Sequence, residues 1–448
     1  MSSRDLLSHP KGLGFLFATE MWERFSYYGM RALLVLYMVH HLLRPGTAEG
    51  VLGLATLRRV LEAAAGPLAI QPLSSLIYGL YTSLVYFTPI IGGLLADRVL
   101  GQRRTVIIGA SLMAVGHFLM AVPSLFLLAL FVLILGNGAF KPNISTQVGG
   151  LYPPGDPRRD RAFSIFYVGI NLGALLAPLV CGTLGEEVGW HYGFAAAGVG
   201  MVIGLAIYLS AGSTLPADEP RRRFETAAEP DRRGWHGIAA LLLLFLPTTL
   251  FWAAYEQQGN TIALWADGFT DRAIDIGFWR VNIPVTWFQA FNPFMIFAFT
   301  PLVVALWARQ ARRGREPSTP TKMALGCHGL AIAYLILALA AWRIAGGGKA
   351  SWLWLAAYFV ILTLGELYLS PVGLSLVTKL APKRLLSTMM GVFLATSFIG
   401  NFLAGWLGSL WSSLSKPSFF LLIAAIAAAA GAMIGAMAKP LRPILERR

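Results

Sequence analysis

The chain has 448 residues, of which 56% are apolar and 13% are charged, and its mean hydropathy is +0.62. A typical soluble domain carries about 25% charged and about 45–50% apolar residues, so this composition excludes a soluble enzyme, a disordered chain and a disulfide-bonded scaffold. The net charge of +14 does not indicate binding to nucleic acid, because the Lys and Arg residues lie in short breaks between apolar runs. We therefore predict a polytopic membrane protein.

Twelve apolar runs are long enough to cross a bilayer, since a hydrocarbon core about 30 Å thick needs about 20 helical residues. The widest polar gap, 213–235, contains five arginines and separates six runs from six. The predicted spans, in chain order, are 13–42, 72–97, 104–122, 124–147, 162–184, 189–211, 236–266, 283–308, 320–345, 351–381, 385–412 and 417–438.

This arrangement predicts an all-α membrane protein with two pseudo-symmetric bundles of six helices. The first bundle is expected at 1–212 and the second at 236–448, with a basic linker at 213–235. Of the 36 Lys and Arg residues, 25 fall on the side of the amino terminus and 8 on the opposite side. Because positively charged loops stay in the cytoplasm, we expect a multi-pass protein of the inner (plasma) membrane with both termini and the linker cytoplasmic.

The first predicted span carries an unusual number of polar residues on one helical face. Glu20, Glu23, Arg24, Tyr28 and Arg31 follow one another at intervals of one, three or four residues and share that face. Carboxylates beside an arginine can take up and release protons, because ion pairing and desolvation shift their pKa in opposite directions. The pattern predicts either a proton-handling path or a helix buried in the bundle with internal ion pairs.

Three more ionisable residues fall within later spans: Lys141 in the fourth, Glu256 in the seventh and Glu366 in the tenth. An ionisable residue at mid-membrane costs at least about 2.5–3.5 kcal/mol on insertion scales. Leaving all seven such residues of the chain in lipid would therefore cost roughly 20 kcal/mol, more than the usual margin of folded stability. We expect them to face protein or water.

The loop between the second and third spans has a specific spacing. Residues 93–98 read Gly-Leu-Leu-Ala-Asp-Arg and precede the basic pair Arg103 and Arg104. This segment resembles the cytoplasmic loop motif of the major facilitator superfamily. The twelve spans and the basic central linker resemble the same superfamily, whose transporters are built from repeated halves.

Residues 20–29, Glu-Met-Trp-Glu-Arg-Phe-Ser-Tyr-Tyr-Gly, match the motif Glu-x-x-Glu-Arg-Phe-x-Tyr-Tyr-Gly of the proton-dependent oligopeptide transporters (the POT/PTR family). One such match would be weak evidence for a resemblance to this family, but several matches in the right order are specific to it. The other segments that resemble motifs of this family are 140–143, 163–173, 255–257, 287–293 and 365–373.

The resemblance implies which residues handle protons and which bind substrate. Glu20, Glu23, Arg24 and Glu256 correspond to positions implicated in proton coupling. Two ion pairs, Arg31–Glu256 and Lys141–Glu366, are implied as links between the bundles. The implied substrate-binding residues are Arg31, Lys141 and Asn171 for the carboxylate end of a peptide, Glu366 for its amino terminus with Asn292 and Ser370 nearby, and Tyr28 and Tyr81 in the wall of the pocket.

These positions imply a proton-coupled symporter that imports di- and tripeptides by alternating access. The expected partners are the peptide, protons as the coupling ion and the lipid bilayer, for a monomer without a cofactor, a metal or nucleic acid. One alternative is the same fold carrying another anionic or amino-acid-derived solute. An intramembrane enzyme or a channel is the alternative of another class, although we find no nucleophile–base set or metal-ligand spacing, and we expect no enzymatic activity.

Overall fold

The computed structural model describes residues 9–153, 156, 158–216, 232–275, 277, 280–380 and 386–446. Their secondary structure is almost wholly helical, because in lipid each backbone N–H and C=O must find its partner within the same segment. This confirms the predicted all-α class. The predicted basic linker falls largely on 217–231, outside the described residues.

Fourteen α-helices are found among the described residues. Their bounds are α1 Lys11–Tyr37, α2 Leu54–Ala65, α3 Ile70–Leu95, α4 Gln102–Leu119, α5 Phe126–Gly150, α6 Arg158–Ala177, α7 Trp190–Ser210, α8 Arg232–Tyr255, α9 Thr261–Gly268, α10 Trp287–Arg312, α11 Thr319–Arg343, α12 Trp352–Leu380, α13 Leu386–Ser409 and α14 Lys416–Glu446.

Ten helical segments of the described chain are long and apolar enough to cross a membrane. The helices α1 and α4 occupy the positions of the first and third predicted spans. The helix α1 carries five charged residues, namely Lys11, Glu20, Glu23, Arg24 and Arg31, and α4 begins with the polar sequence Gln-Arg-Arg. Together these segments give the twelve helices that the sequence predicts.

Contacts divide the chain into two compact units. The amino-terminal unit consists of Met1–Ile70, Leu84–Arg223 and Pro284–Pro293. The carboxy-terminal unit consists of Gln71–Ser83, Phe224–Ile283 and Phe294–Arg448. Gln71–Ser83, from the first half of the sequence, thus belongs to the carboxy-terminal unit, and Pro284–Pro293, from the second half, belongs to the amino-terminal unit.

In the amino-terminal unit, glycines let helices approach closely. A Cβ atom on Gly92 of α3 would overlap the carbonyl group of Gly138 of α5. The segment that leads into α10 is held in the same unit by Glu186, whose carboxylate accepts hydrogen bonds from the backbone N–H groups of Val285 and Thr286, each at 2.8 Å. A carboxylate at a helix amino terminus satisfies donors that have no partner within the helix.

In the carboxy-terminal unit, the first half of α3 packs against α13. A Cβ atom on Gly405 would lie 2.6 Å from Cα of Gly79, so the two backbones are nearly in contact. The Ser75 hydroxyl donates to Oδ1 of Asn260 at 2.8 Å, just before α9 begins. Small residues allow such close helix packing in membranes, and polar side chains add hydrogen bonds between helices.

The few strands lie in connections. Between α9 and α10, β2 (Ala273–Asp275) pairs antiparallel with β3 (Arg280–Asn282). The two residues of β1 (Thr270–Asp271) pair in parallel with those of β4 (Ala350–Ser351), which directly precedes α12. These pairings tie loops together and add no sheet to the helical core.

Candidate functional site

A cluster of ionised side chains lies in the middle of α1. The guanidinium of Arg24 pairs with both Glu20, where Nε lies 3.1 Å from Oε1, and Glu23. All three residues are at most 4% exposed. The amide nitrogen of Asn137, on α5, donates to Oε1 of Glu23 at 3.3 Å. The face predicted from the spacing in α1 therefore forms one buried network.

A second cation belongs to this network. Lys141 follows Asn137 by one helical turn and acts electrostatically on both Glu20 and Glu23. Its ammonium group lies 4.5 Å from the ring centroid of Tyr86, on α3, in a cation–π contact. Two carboxylates and two cations thus share the interior of the amino-terminal unit.

Part of the hydrogen-bonding capacity of this network is unused. Within the described residues, Oε2 of Glu20 and Nη2 of Arg24 are buried without a hydrogen-bond partner. Buried polar atoms are ordinarily satisfied, and those that are not point to a functional role or to bound water. One guanidinium shared by two carboxylates leaves room for a proton on either acid.

The acids of the carboxy-terminal unit lie beside tyrosine hydroxyls. Helix α8 ends at Tyr255, and a 3₁₀ turn begins at Glu256, inside the seventh predicted span. The Tyr255 hydroxyl hydrogen-bonds with Glu366 of α12. Tyr334 donates to the carbonyl of Ala254 at 2.7 Å, immediately before this turn. A 3₁₀ stretch within a membrane helix frequently marks a hinge or a strained functional position.

An apolar cavity lies in the same unit. It is lined by residues of α8, α11, α12 and α13, among them Thr248, Met323, Gly373 and Val392. Gly373 lies two helical turns beyond Glu366, on the same face of α12. The cavity is therefore on the side of α12 that carries the predicted ligand of the peptide amino terminus.

The remaining predicted residues divide between the two units. Arg31, Asn171, Asn292 and Tyr81 are at most 8% exposed, whereas Tyr28, Lys141, Glu366 and Ser370 are half-buried. The ion pairs Arg31–Glu256 and Lys141–Glu366 each combine residues of different units and stay predictions. The amino-terminal unit holds Glu20, Glu23, Arg24, Tyr28, Arg31, Lys141, Asn171 and Asn292, and the carboxy-terminal unit holds Tyr81, Glu256, Glu366 and Ser370.

The structure adds residues to the site that the sequence did not single out. Asn137 and Tyr86 contact the charged network in the amino-terminal unit. In the carboxy-terminal unit, Tyr358 donates to the hydroxyl of Tyr334 at 3.0 Å. Of these residues, only Asn137 could have been found from the sequence, because it precedes Lys141 by four residues and so lies on the same helical face.

Comparison with known proteins identifies the class of protein. The model of the POT family matches residues 103–229 and 224–422. A di-/tripeptide transporter of Lactococcus lactis subsp. lactis (strain IL1403) is 32% identical, covering 99% of this chain and 98% of its own length. The peptide transporter YePEPT of Yersinia enterocolitica subsp. palearctica serotype O:3 (strain YE-P4) is 33% identical, covering 90% of this chain and 88% of its own.

Solved structures agree with this assignment. A crystal structure of a mutant of the peptide transporter POT in complex with alafosfalin has a TM-score of 0.84 and 31% identity, covering 98% of this chain and 96% of that one. A POT family transporter in complex with 5-aminolevulinic acid has a TM-score of 0.84 and 27% identity, covering 97% of each chain. The chain is a membrane transporter of the major facilitator fold, as predicted, and it belongs to the POT family.

Proposed function

We propose that this protein is a proton-coupled symporter that imports di- and tripeptides by alternating access. The observation that carries the proposal is the buried network of Glu20, Glu23, Arg24 and Lys141 inside a membrane transporter. Relatives that share its family include proteins named di-/tripeptide transporters. Ionisable residues at membrane depth are costly, and they commonly mark proton and substrate pathways.

The network supplies the chemistry for carrying a proton. Two carboxylates compete for the single guanidinium of Arg24, so one of them can be neutralised without leaving that cation unpaired. Lys141 also acts on both acids. When a substrate anion pairs with Lys141, that cation stabilises the ionised acids less, and the proton affinity of Glu20 and Glu23 rises. Binding of the peptide and binding of the proton then favour each other.

The peptide is held by its charged ends, which all di- and tripeptides share. Its carboxylate contacts Arg31, Lys141 and Asn171, and its ammonium group contacts Glu366. The Tyr255 hydroxyl, which hydrogen-bonds with Glu366, orients that carboxylate. The other proposed contacts, which tolerate varied side chains, come from Tyr28, Tyr81, Asn292 and Ser370.

Alternating access requires an element with two states. The pairs Arg31–Glu256 and Lys141–Glu366 provide it, since the charged ends of a peptide compete with both pairs. Peptide binding therefore loosens one arrangement of the bundles and favours another. The protein works as a monomer in the cytoplasmic membrane, with both termini inside, without a cofactor and without enzymatic activity.

The test of this proposal varies the ends of the peptide and the residues that bind them. Purified protein in liposomes takes up labelled dialanine in competition with unlabelled dialanine, its carboxamide and its amino-acetylated form. We expect Arg31→Ala to weaken competition by dialanine more than by the carboxamide. We expect Glu366→Gln to weaken competition by dialanine more than by the acetylated form. Equal losses for all three competitors would contradict the assigned contacts.

A second candidate substrate is an amino-acid-derived solute. A similar POT family structure holds 5-aminolevulinic acid, which also carries an ammonium group and a carboxylate. The same assay separates the two candidates. A peptide transporter is inhibited more strongly by dialanine than by 5-aminolevulinic acid, and the reverse order would favour the second candidate.

A further inference from the structure

The short helix α2 lies outside the predicted spans, and its two ends are tied to the beginnings of two membrane-spanning segments. On one side, the N–H of Leu52 donates to the carbonyl of Ser124 at 3.0 Å, next to Pro123, where a spanning segment starts. On the other side, Nη2 of Arg58 donates to the carbonyl of Leu68 at 2.6 Å, two residues before the next spanning segment starts. These attachments hold α2 at the level where the chain enters the membrane.

A local network keeps the carboxy-terminal end of α2 in place. Glu62 accepts hydrogen bonds from Nε of Arg58 at 2.8 Å and from the N–H of Leu68 at 3.1 Å. The helix then ends at Gly66, whose φ of +78° lies in the region that favours glycine. The chain therefore turns from α2 towards α3 in a defined direction.

The helix is amphipathic, and its apolar side is only partly covered by protein. Leu54 is 5% exposed and Leu57 is half-buried, whereas Val60, which follows Leu57 by three residues at the edge of the apolar side, is 63% exposed, and Leu52 just before the helix is 65% exposed. Arg58 and Arg59 lie towards the polar side, with Arg59 exposed. Exposed apolar side chains that continue a partly buried apolar face can mark a surface that contacts lipid or protein.

We propose that α2 is an interfacial helix that lies in the headgroup layer of the leaflet opposite the amino terminus, with Val60 and Leu52 in contact with lipid. An amphipathic helix with arginines on its polar side suits this layer, because its apolar side chains reach the acyl chains while the guanidinium groups remain among water and phosphates. The occupant is lipid because both ends of α2 are fixed at the level of the membrane boundary.

The test compares two faces of α2 by spin labelling. Val60→Cys and the matched control Ala55→Cys, about 140° away around the helix axis, are labelled with a nitroxide in full-length protein. Both natural cysteines are buried, and the protein without an added cysteine gives the background. The protein is studied in nanodiscs of phosphatidylethanolamine and phosphatidylglycerol, with oxygen, which enters lipid, and a nickel chelate, which remains in water, as relaxing agents.

We expect the label at position 60 to be relaxed more by oxygen than by the nickel chelate, and the label at position 55 to show the reverse. Both positions are exposed, so neither substitution disturbs packing. Stronger relaxation by nickel at both positions would show that α2 stands in water and would overturn the proposal. Weak relaxation by both agents at position 60 would show that another protein surface covers it, and this result would overturn the proposal equally.

Discussion

Arg24 contacts two buried carboxylates, and this arrangement determines what can be changed in the network. Removing one partner of a buried ion pair costs about 3–5 kcal/mol when it leaves the other charge uncompensated. Here a second carboxylate remains beside Arg24 whenever one of the two is neutralised. Replacing a single acid by its amide therefore separates proton carriage from folding.

Glu23→Gln should strongly reduce accumulation of dialanine driven by a pH gradient, because Glu20 alone remains to carry a proton in the network, and it should leave exchange of dialanine across the membrane in place. The amide cannot take up a proton in the physiological range, while Glu20 still pairs with Arg24. Both modes are measured in liposomes with labelled dialanine. The exposed Glu187 provides the control, Glu187→Gln, which should behave as the unaltered protein. Full accumulation by Glu23→Gln would contradict proton coupling at this position.

Tyr255→Phe should raise the Kd for dialanine by about tenfold. A hydrogen bond to a charged group contributes about 1.5–3 kcal/mol, and 1.4 kcal/mol corresponds to a factor of ten. The control is Tyr358→Phe, which removes a buried hydroxyl that donates to Tyr334. Calorimetry on purified protein measures both values. Equal weakening by the two variants would argue against a specific role for Tyr255 at Glu366.

At the scale of single residues, the sequence predicts contacts within a helix better than contacts between helices. Glu20 and Arg24 are four residues apart, so their pairing follows from helical geometry alone. Tyr86 meets Lys141 from another helix, and the register between two helices depends on how their surfaces pack. The spacing of residues along the sequence therefore does not show which residues of two helices meet.

Within each unit, helix packing depends on glycines at particular positions. Gly92 and Gly93 are adjacent in α3, yet their surroundings differ. A Cβ atom on Gly92 would lie 2.5 Å from the carbonyl carbon of Gly138, whereas one on Gly93 would meet its nearest neighbour, Cβ of Pro142, at 3.9 Å. Both glycines are visible in the sequence, but only the structure shows that Gly92 is in tight contact with α5 and Gly93 is not.

Gly92→Ala should therefore destabilise the protein and Gly93→Ala should not. Forcing a methyl group into a packed contact costs typically about 1–3 kcal/mol, while alanine in an open helical position is neutral or stabilising by up to about 1 kcal/mol. Thermal unfolding of the two variants in detergent gives the comparison. Similar midpoints for both would mean that α3 and α5 are less closely packed than the structure shows.

At the scale of the whole molecule, the number and order of the spans follow from hydropathy, because lipid accepts few kinds of backbone structure. Hydropathy does not show which chain segments belong to each of the two units. Gln71–Ser83 packs in the carboxy-terminal unit and Pro284–Pro293 in the amino-terminal unit. These assignments depend on side-chain contacts such as those of Ser75 with Asn260 and of Glu186 with Thr286, which hydropathy does not contain.

The distribution of Lys and Arg predicts that both termini are cytoplasmic. Ala55→Cys, beyond the first span, and Ser213→Cys, after the sixth, are both exposed positions. In intact cells, a membrane-impermeant maleimide should label position 55 and should label position 213 only after permeabilisation. Labelling of position 213 alone in intact cells would reverse the orientation.

The central claim is that proton entry and peptide entry are one process. Liposomes that contain the purified protein are given an outside pH below the inside pH, and internal labelled dialanine is followed over time. We predict that dialanine rises above its external concentration and returns to equality when a protonophore collapses the gradient. Uptake that stops at equal concentrations, whatever the gradient, would contradict the account.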